Sequence, residues 1–254
     1  MRALTLLPST TMNETNCELT YVQPQPIDTV LALKQHANYC AALEKLGFEV
    51  TRLPANEDLP DSVFIEDPVV VLDDLAVLTL PGSASRVGEV PNIEAEIRKF
   101  RRVERITPPG TLEGGDVLCI GQRIFVGIST RTNLAGFNQF REYVAPLGFE
   151  VVPVRVPGAL HLKTAVTALD DSTLLINKEW IDSAPFKGFQ MFNVPLTEPF
   201  AANIIGVGKR VLMHEGFAGT RAMVEALGFE VLQLNISEFL KAEAGLTCMS
   251  VRFR

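Results

Sequence analysis

The 254-residue chain is predicted to be an α/β protein whose repeated units close into a five-bladed ring, an α/β propeller of ββαβ-type pseudo-repeats. Two observations predict it. The motif LGFEV occurs at 46–50, 147–151 and 227–231, each time behind an amphipathic helical stretch. In each copy the glycine stops the helix and apolar/polar alternation then begins a strand. Between these junctions lie paired apolar runs with a turn dipeptide inside them, as in β-hairpins.

In chain order, a helix is expected over 30–46, followed by a hairpin in VFIEDPVVVLDDLAVLTL that turns at Asp73-Asp74. A helical run from Ile93 leads into RKFRRVERITPP, a weaker copy of the junction. The hairpin DVLCIGQRIFVG turns at Gly121-Gln122 and precedes a helix over 133–147. TAVTALDDSTLLIN turns at Asp170-Asp171, and KEWIDSA stands where the next helix would lie, before FKGFQMFNVP. A helix over 219–227 and a last strand ending at Phe253 complete the chain. The junctions recur at intervals of about forty to fifty-five residues, the size of one supersecondary unit. Five such units close radially, which removes sheet edges and leaves a central channel where different repeats can meet. An open Rossmann-type sheet is the alternative, but no GxGxxG follows any strand. No linker interrupts the chain, so residues 1–254 read as one domain.

With 47% hydrophobic and 21% charged residues, the composition is that of a globular protein. The net charge of −7 argues against nucleic acid as a partner. The basic run at Arg98, Lys99, Arg101, Arg102 and Arg105 is interrupted and reads as a solvated helix face. The first apolar run is too short for a signal sequence and none reaches membrane-spanning length, so a cytoplasmic location without a membrane partner is expected. Cysteines 17, 40, 119 and 248 form no CxxC pair and no zinc-like spacing with His36, His161 or His214. Free thiols are expected, with neither a disulfide framework nor a structural metal.

Several polar groups sit at the mouths of apolar strands. Asp61, Glu66 and Asp67 stand in PDSVFIEDP, and Glu113 and Asp116 flank two glycines in GTLEGGD. Arg131 stands in ISTRTN beside a possible N-cap at Thr132 or Asn133, His161 in ALHLKT, and Cys248 in AGLTCMSVRF. Taken singly, each has an ordinary reading as a turn, cap, surface or packing residue. Each nevertheless holds the same place in its repeat, at one end of the ring, and one shared site explains them better than separate structural roles.

The stretches FIEDP, PGSASRVGE, LEGGDVL, STRTN, HLKT and GLTCMSVRF, with QHANYCAAL in the first helix, closely resemble the dimethylarginine dimethylaminohydrolases of the guanidine-modifying, or pentein, superfamily. The resemblance spans nearly the whole chain and implies a five-bladed α/β propeller. It implies that Cys248 is the nucleophile, His161 the general acid and base, and Glu113 a carboxylate binding the reacting group near the histidine. It would place Glu66 and Asp67 at the guanidinium, with Asp61 positioning the substrate, and Arg86 and Arg131 on its α-carboxylate. Main-chain oxygens of Leu19 and Ala242 would hold the α-amino group. The ligand so implied is a small cationic guanidino compound, no cofactor is required, and a homodimer is left open. The segment ELTYVQPQPID is expected to be a mobile lid; it departs from the family after Thr20, and Leu80 and Val87 stand where basic residues are common.

The chemistry suits those residue types. A guanidinium is resonance-stabilised, and its carbon becomes a usable electrophile only when carboxylates hold its charge and plane. A thiolate can then attack while a histidine manages protons. The same machinery could serve an arginine deiminase or amidinotransferase, although those are usually longer chains. A non-catalytic, ribosome-binding propeller is the non-enzyme alternative, and the cysteine, histidine and carboxylate set argues against it.

Overall fold

The computed structural model describes residues 1–254 and shows five three-stranded sheets arranged as blades. Strand β1 (Arg2–Leu6) pairs in parallel with β2 (Glu49–Leu53) across helix α1 (Thr29–Lys45). The next blade is β3 (Val69–Val71), β4 (Leu75–Leu78) and β5 (Arg102–Arg105), with α2 (Val90–Ile97) before its last strand. The third is β6 (Val117–Ile120), β7 (Arg123–Ile128) and β8 (Glu150–Arg155), with α3 (Leu134–Val144). The fourth begins after the short helix α4 (Leu162–Ala165) and contains β9 (Val166–Ala168), β10 (Thr173–Ile176) and β11 (Gln190–Asn193). The fifth is β12 (Ile205–Val207), β13 (Arg210–His214) and β14 (Glu230–Leu234), with α5 (Ala218–Ala226). After α6 (Ser237–Lys241), β15 (Val251–Phe253) pairs antiparallel with β1, so the two chain ends close the ring within one blade.

Every blade repeats one pattern, an antiparallel pair with a third strand in parallel beside the pair's second strand; in four blades the pair is a hairpin, and in the closing blade it is formed by β15 and β1. Burial follows position. The central strands β4 and β10 are buried at all four residues, because both faces meet neighbouring blades. The third strands are mostly exposed or half-buried, as β2 and β5 are throughout, because they form the rim; Val154 of β8 and Leu234 of β14 are the buried exceptions. Five apolar clusters lie between successive blades; the largest joins α1, α6 and the turn carrying Cys248.

The expected glycine stops are present. Gly47, Gly148 and Gly228 have φ of +95°, +92° and +84°, a region costly to any residue with a Cβ. The side chain of Asp28 caps α1 by accepting from the Leu31 N–H at 3.0 Å, and Asn133, rather than Thr132, caps α3. Two expectations are corrected. KEWIDSA forms turns and leads to a single 3₁₀ turn at Ala184–Phe186, because its backbone is bonded to neighbouring elements: the Lys178 N–H donates to Asn193 Oδ1, the Asp182 N–H to the Arg155 carbonyl, and the Trp180 carbonyl accepts from the Gly158 N–H. His161 does not lead directly into a strand but stands at the N-cap of α4, one turn ahead of β9.

Candidate active site

The first strand of each blade lines the axis, and the chemical groups sit just ahead of those strands. Asp67 precedes β3, Glu113 precedes β6, His161 precedes α4 and β9, and Cys248 lies in a 3₁₀ turn, Thr247–Met249, ahead of β15. Four blades thus deliver an acid, an acid, an imidazole and a thiol to one end of the ring. Asp61, Asp67, Arg86, Arg131, His161, Ala242 and Cys248 line a single cleft there. A wider hollow opens at the hairpin end of the axis, past Cys119, Asp170 and Gly208, and contains none of the acid–imidazole–thiol set.

His161 is held on three sides. Its Nε2 lies 2.6 Å from Glu113 Oε2, and its Nδ1 lies 3.9 Å from Asp67 Oδ1. Below the ring is Gly115, where a Cβ would come within 2.6 Å of Nδ1, so no larger residue fits there without moving the imidazole. His161 is 3% exposed. Burial works against an imidazolium, but Asp67, Glu113 and Asp116 outweigh it and raise His161 to about 9. Reciprocally, the imidazolium overcomes the burial of Asp67 and Glu113 and holds both carboxyls low. Asp116, which burial pushes up to about 6, accepts from Ser129, Thr132 and the Leu162 N–H, and so fixes the start of the helix behind His161.

Cys248 is half-buried, and its Sγ accepts from the Gly245 N–H at 3.3 Å. Burial, then the charges of Glu66 and Asp67, push its thiol up to about 12. The site therefore rests as a neutral thiol beside a charged imidazole. A cation entering the cleft would favour the thiolate.

The remaining predicted residues divide. Asp61 Oδ2 accepts from the Glu18 N–H at 2.9 Å, and burial raises its carboxyl. Arg131 reaches Thr20 Oγ1 at 3.2 Å and stands 3.9 Å from Glu113. Arg86 is more committed: it donates to Asp67 at 2.7 Å, to Glu89 at 2.8 and 2.9 Å, and to the carbonyls of Asp61 and Phe64. Glu66 is set behind the cleft, not in it. Its carboxylate takes Lys163 Nζ at 2.6 Å and Thr247 Oγ1 at 2.8 Å, so it acts on Cys248 through its charge and its neighbours. Ala242 lines the cleft, whereas Leu19 packs against the adjoining apolar cluster while Glu18 beside it faces the cleft.

The segment expected to be a lid has no helix or strand from Cys17 to Asp28. Carboxylates capture its backbone. Glu243 accepts from the Thr20 N–H at 2.6 Å and the Tyr21 N–H at 3.0 Å, and Glu238 accepts from the Asp28 N–H at 2.8 Å; the segment's own Glu18 side chain accepts from the Ser85 hydroxyl. Glu243 has φ of +60°, uncommon for a residue with a Cβ, and these two amide bonds help hold it there. Sequence reading missed this residue, which stands among ordinary helix-end residues. One ligand atom each from Asp67, Glu113 and His161 lies within 4.8 Å of the others, a spacing that could hold a metal ion as well as a planar cation.

Comparison with known proteins agrees with this geometry. The family of eukaryotic N,N dimethylarginine dimethylhydrolases matches residues 8–191. The N(G),N(G)-dimethylarginine dimethylaminohydrolase of Pseudomonas aeruginosa is 39% identical over 228 residues, covering 89% of this chain and 90% of its own. The protein of that name from Streptomyces coelicolor is 40% identical over 238 residues, covering 93% and 91%. A solved structure of the Pseudomonas enzyme, a cysteine-to-serine variant complexed with citrulline, aligns with a TM-score of 0.94 at 36% identity and covers 99% of this chain and 98% of its own.

Proposed function

We infer that this chain, which belongs to the dimethylarginine dimethylaminohydrolase family, hydrolyses methylated arginines to citrulline and methylamine or dimethylamine. The observation that carries the reading is a single cleft holding the Cys248 thiol beside an imidazolium locked between two carboxylates.

The substrate guanidinium enters beside Asp67 and Asp61, and its positive charge lets Cys248 lose its proton to solvent. The thiolate attacks the central carbon to give a tetrahedral adduct. His161, already protonated, gives its proton to the nitrogen that bears the methyl groups. The carbon–nitrogen bond breaks and the amine leaves, with a thiouronium remaining on Cys248. The imidazole, now neutral, takes a proton from water as it attacks; the thiolate departs and citrulline is released. Glu113 keeps the ring charged and aligned in the first step and stabilises its recharging in the second.

Arg131 is the better placed of the two arginines for the α-carboxylate, because only Thr20 holds it closely. Arg86 contributes through its charge and by fixing Asp67. Main-chain oxygens at Leu19 and Ala242 are assigned the α-amino group, with the 17–28 segment closing over the outer end. The whole chain is read as one guanidine-modifying domain. A cytoplasmic location is part of the same reading.

A product assay tests the reading. Dimethylarginine should yield citrulline and dimethylamine in equal amounts, and Cys248→Ser should yield neither. Ammonia from arginine as the dominant product would assign the site to deimination instead.

A further inference from the structure

Four blades place a mechanistic residue ahead of their inner strand. In the fifth, the slot before β12 holds Asn203, which is 6% exposed and has no part in the steps above. Both polar atoms of its side chain are engaged. Oδ1 accepts from the Thr247 N–H at 3.0 Å, while Nδ2 donates to the Lys163 carbonyl at 2.9 Å and to Thr247 Oγ1 at 3.0 Å. Thr247 immediately precedes the nucleophile, and Lys163 lies in α4, two residues beyond His161. One amide thus spans the gap between the turn that carries the thiol and the helix that follows the imidazole. The loop of bonds closes behind it: Thr247 Oγ1 donates to Glu66, and Glu66 accepts from Lys163 Nζ.

Gly245 supplies an independent observation. A Cβ built there would lie 2.4 Å from both Cγ and Oδ1 of Asn203, so the amide rests against the glycine. The N–H of that glycine is the one donated to Cys248 Sγ.

We propose that Asn203 is a positioning residue for the hydrolysis, fixing the Cys248 turn against the His161 helix, and that position 245 is glycine because the Asn203 amide fills the space of a side chain. The proposal rests on the functional reading above. Removing the amide frees the turn to drift, which misaligns Sγ with the substrate carbon and weakens the Gly245 N–H bond to the thiolate. The charged groups around the thiol, namely Glu66, Asp67, Lys163 and His161, are retained in every variant below.

Asn203→Ala, Thr247→Val, Thr247→Ser and Gly245→Ala are compared with the unsubstituted protein for kcat and KM per titratable active-site thiol, and for the rate of Cys248 alkylation by iodoacetamide at fixed pH. Asn203→Ala and Thr247→Val should lose about 10- to 100-fold in kcat with KM within about threefold, the cost of a misplaced reacting group. Their alkylation should slow about tenfold, one charge-assisted hydrogen bond's worth of thiolate. Thr247→Ser, which keeps the hydroxyl, should remain within about threefold, and Gly245→Ala should behave as Asn203→Ala. Unchanged kcat and alkylation rate in folded Asn203→Ala and Thr247→Val, or losses matched by Thr247→Ser, would overturn the proposal. Should Asn203→Ala fail to fold, the Thr247→Val and Thr247→Ser pair decides alone. Should the unsubstituted protein release no dimethylamine, the functional reading falls, while the alkylation rates still decide whether Asn203 holds the thiol.

Discussion

Placing a cation in the cleft should convert Cys248 from thiol to thiolate. In the resting site, burial and the charges of Glu66 and Asp67 push the thiol up to about 12, so at about pH 7.5 roughly three molecules in 10⁵ carry a thiolate. A unit positive charge about 4 Å from the sulfur, at an effective dielectric of about 20, is worth about 4 kcal/mol, or about three pH units. The midpoint should then fall to about 9, and the thiolate fraction should rise about a thousandfold, to a few per cent. Thiolate absorbance titrated with and without saturating L-lysine reads this, because lysine offers an ammonium ion and no electrophilic carbon. Cys248→Ser serves as the blank for cysteines 17, 40 and 119. A midpoint that moves by less than about half a unit with lysine bound would rule out activation of the thiol by the bound cation, since a charge close enough to activate it must shift it by more.

Other perturbations have defined outcomes. Glu113→Gln keeps a hydrogen-bonding group at Nε2 but removes the charge; only Asp67 and Asp116 are then left to oppose burial, so the His161 midpoint falls from about 9 and the alkaline limb of the kcat profile moves to lower pH, with a loss of about 10²-fold at neutral pH. Arg131→Leu should raise KM at least about tenfold and lower kcat less, because it removes binding at the far end of the substrate; a kcat loss with KM unchanged would place it elsewhere. His36 is buried, and burial lowers it to about 4 from 6.5. The unfolded chain takes up that proton first as pH falls, so stability present above 6.5 is lost from there down towards 4, about 2 kcal/mol of it between about pH 7 and 5. Urea unfolding of His36→Leu should show a loss over that interval smaller by about this amount.

The parts of the fold that were legible in the sequence are those fixed by local stereochemistry. Gly47, Gly148 and Gly228 each end a helical segment with positive φ, and that requirement shows as a repeated LGFEV. The hairpin turns at Asp73-Asp74, Gly121-Gln122 and Asp170-Asp171 were visible for the same reason. KEWIDSA misled because helix-compatible composition was outweighed by bonds its backbone makes to Asn193, Arg155 and Gly158, none of them visible in the local sequence. In the site, the residues preceding each inner strand could be found because the repeat fixes their position. Which way they point could not: Glu66 and Asp67 are neighbours, and only their packing turns Asp67 into the cleft and Glu66 towards Lys163 and Thr247 behind it. Glu243 and Asn203 were illegible because their roles depend on what lies opposite them, the Thr20 and Tyr21 amides in one case and Thr247 and Lys163 in the other.

The thiol at 248 should form a bond to the guanidinium carbon, and the imidazole at 161 should be needed to resolve it. Intact-protein and peptide mass measurement of His161→Gly incubated with an S-alkyl thiocitrulline, whose leaving group departs without a protonating imidazole, tests this most directly. The expected result is a stable increase in mass on the peptide carrying Cys248 and none in a His161→Gly, Cys248→Ser double variant. An adduct on Cys17, Cys40 or Cys119 instead, or full turnover with no adduct at any time, would contradict it.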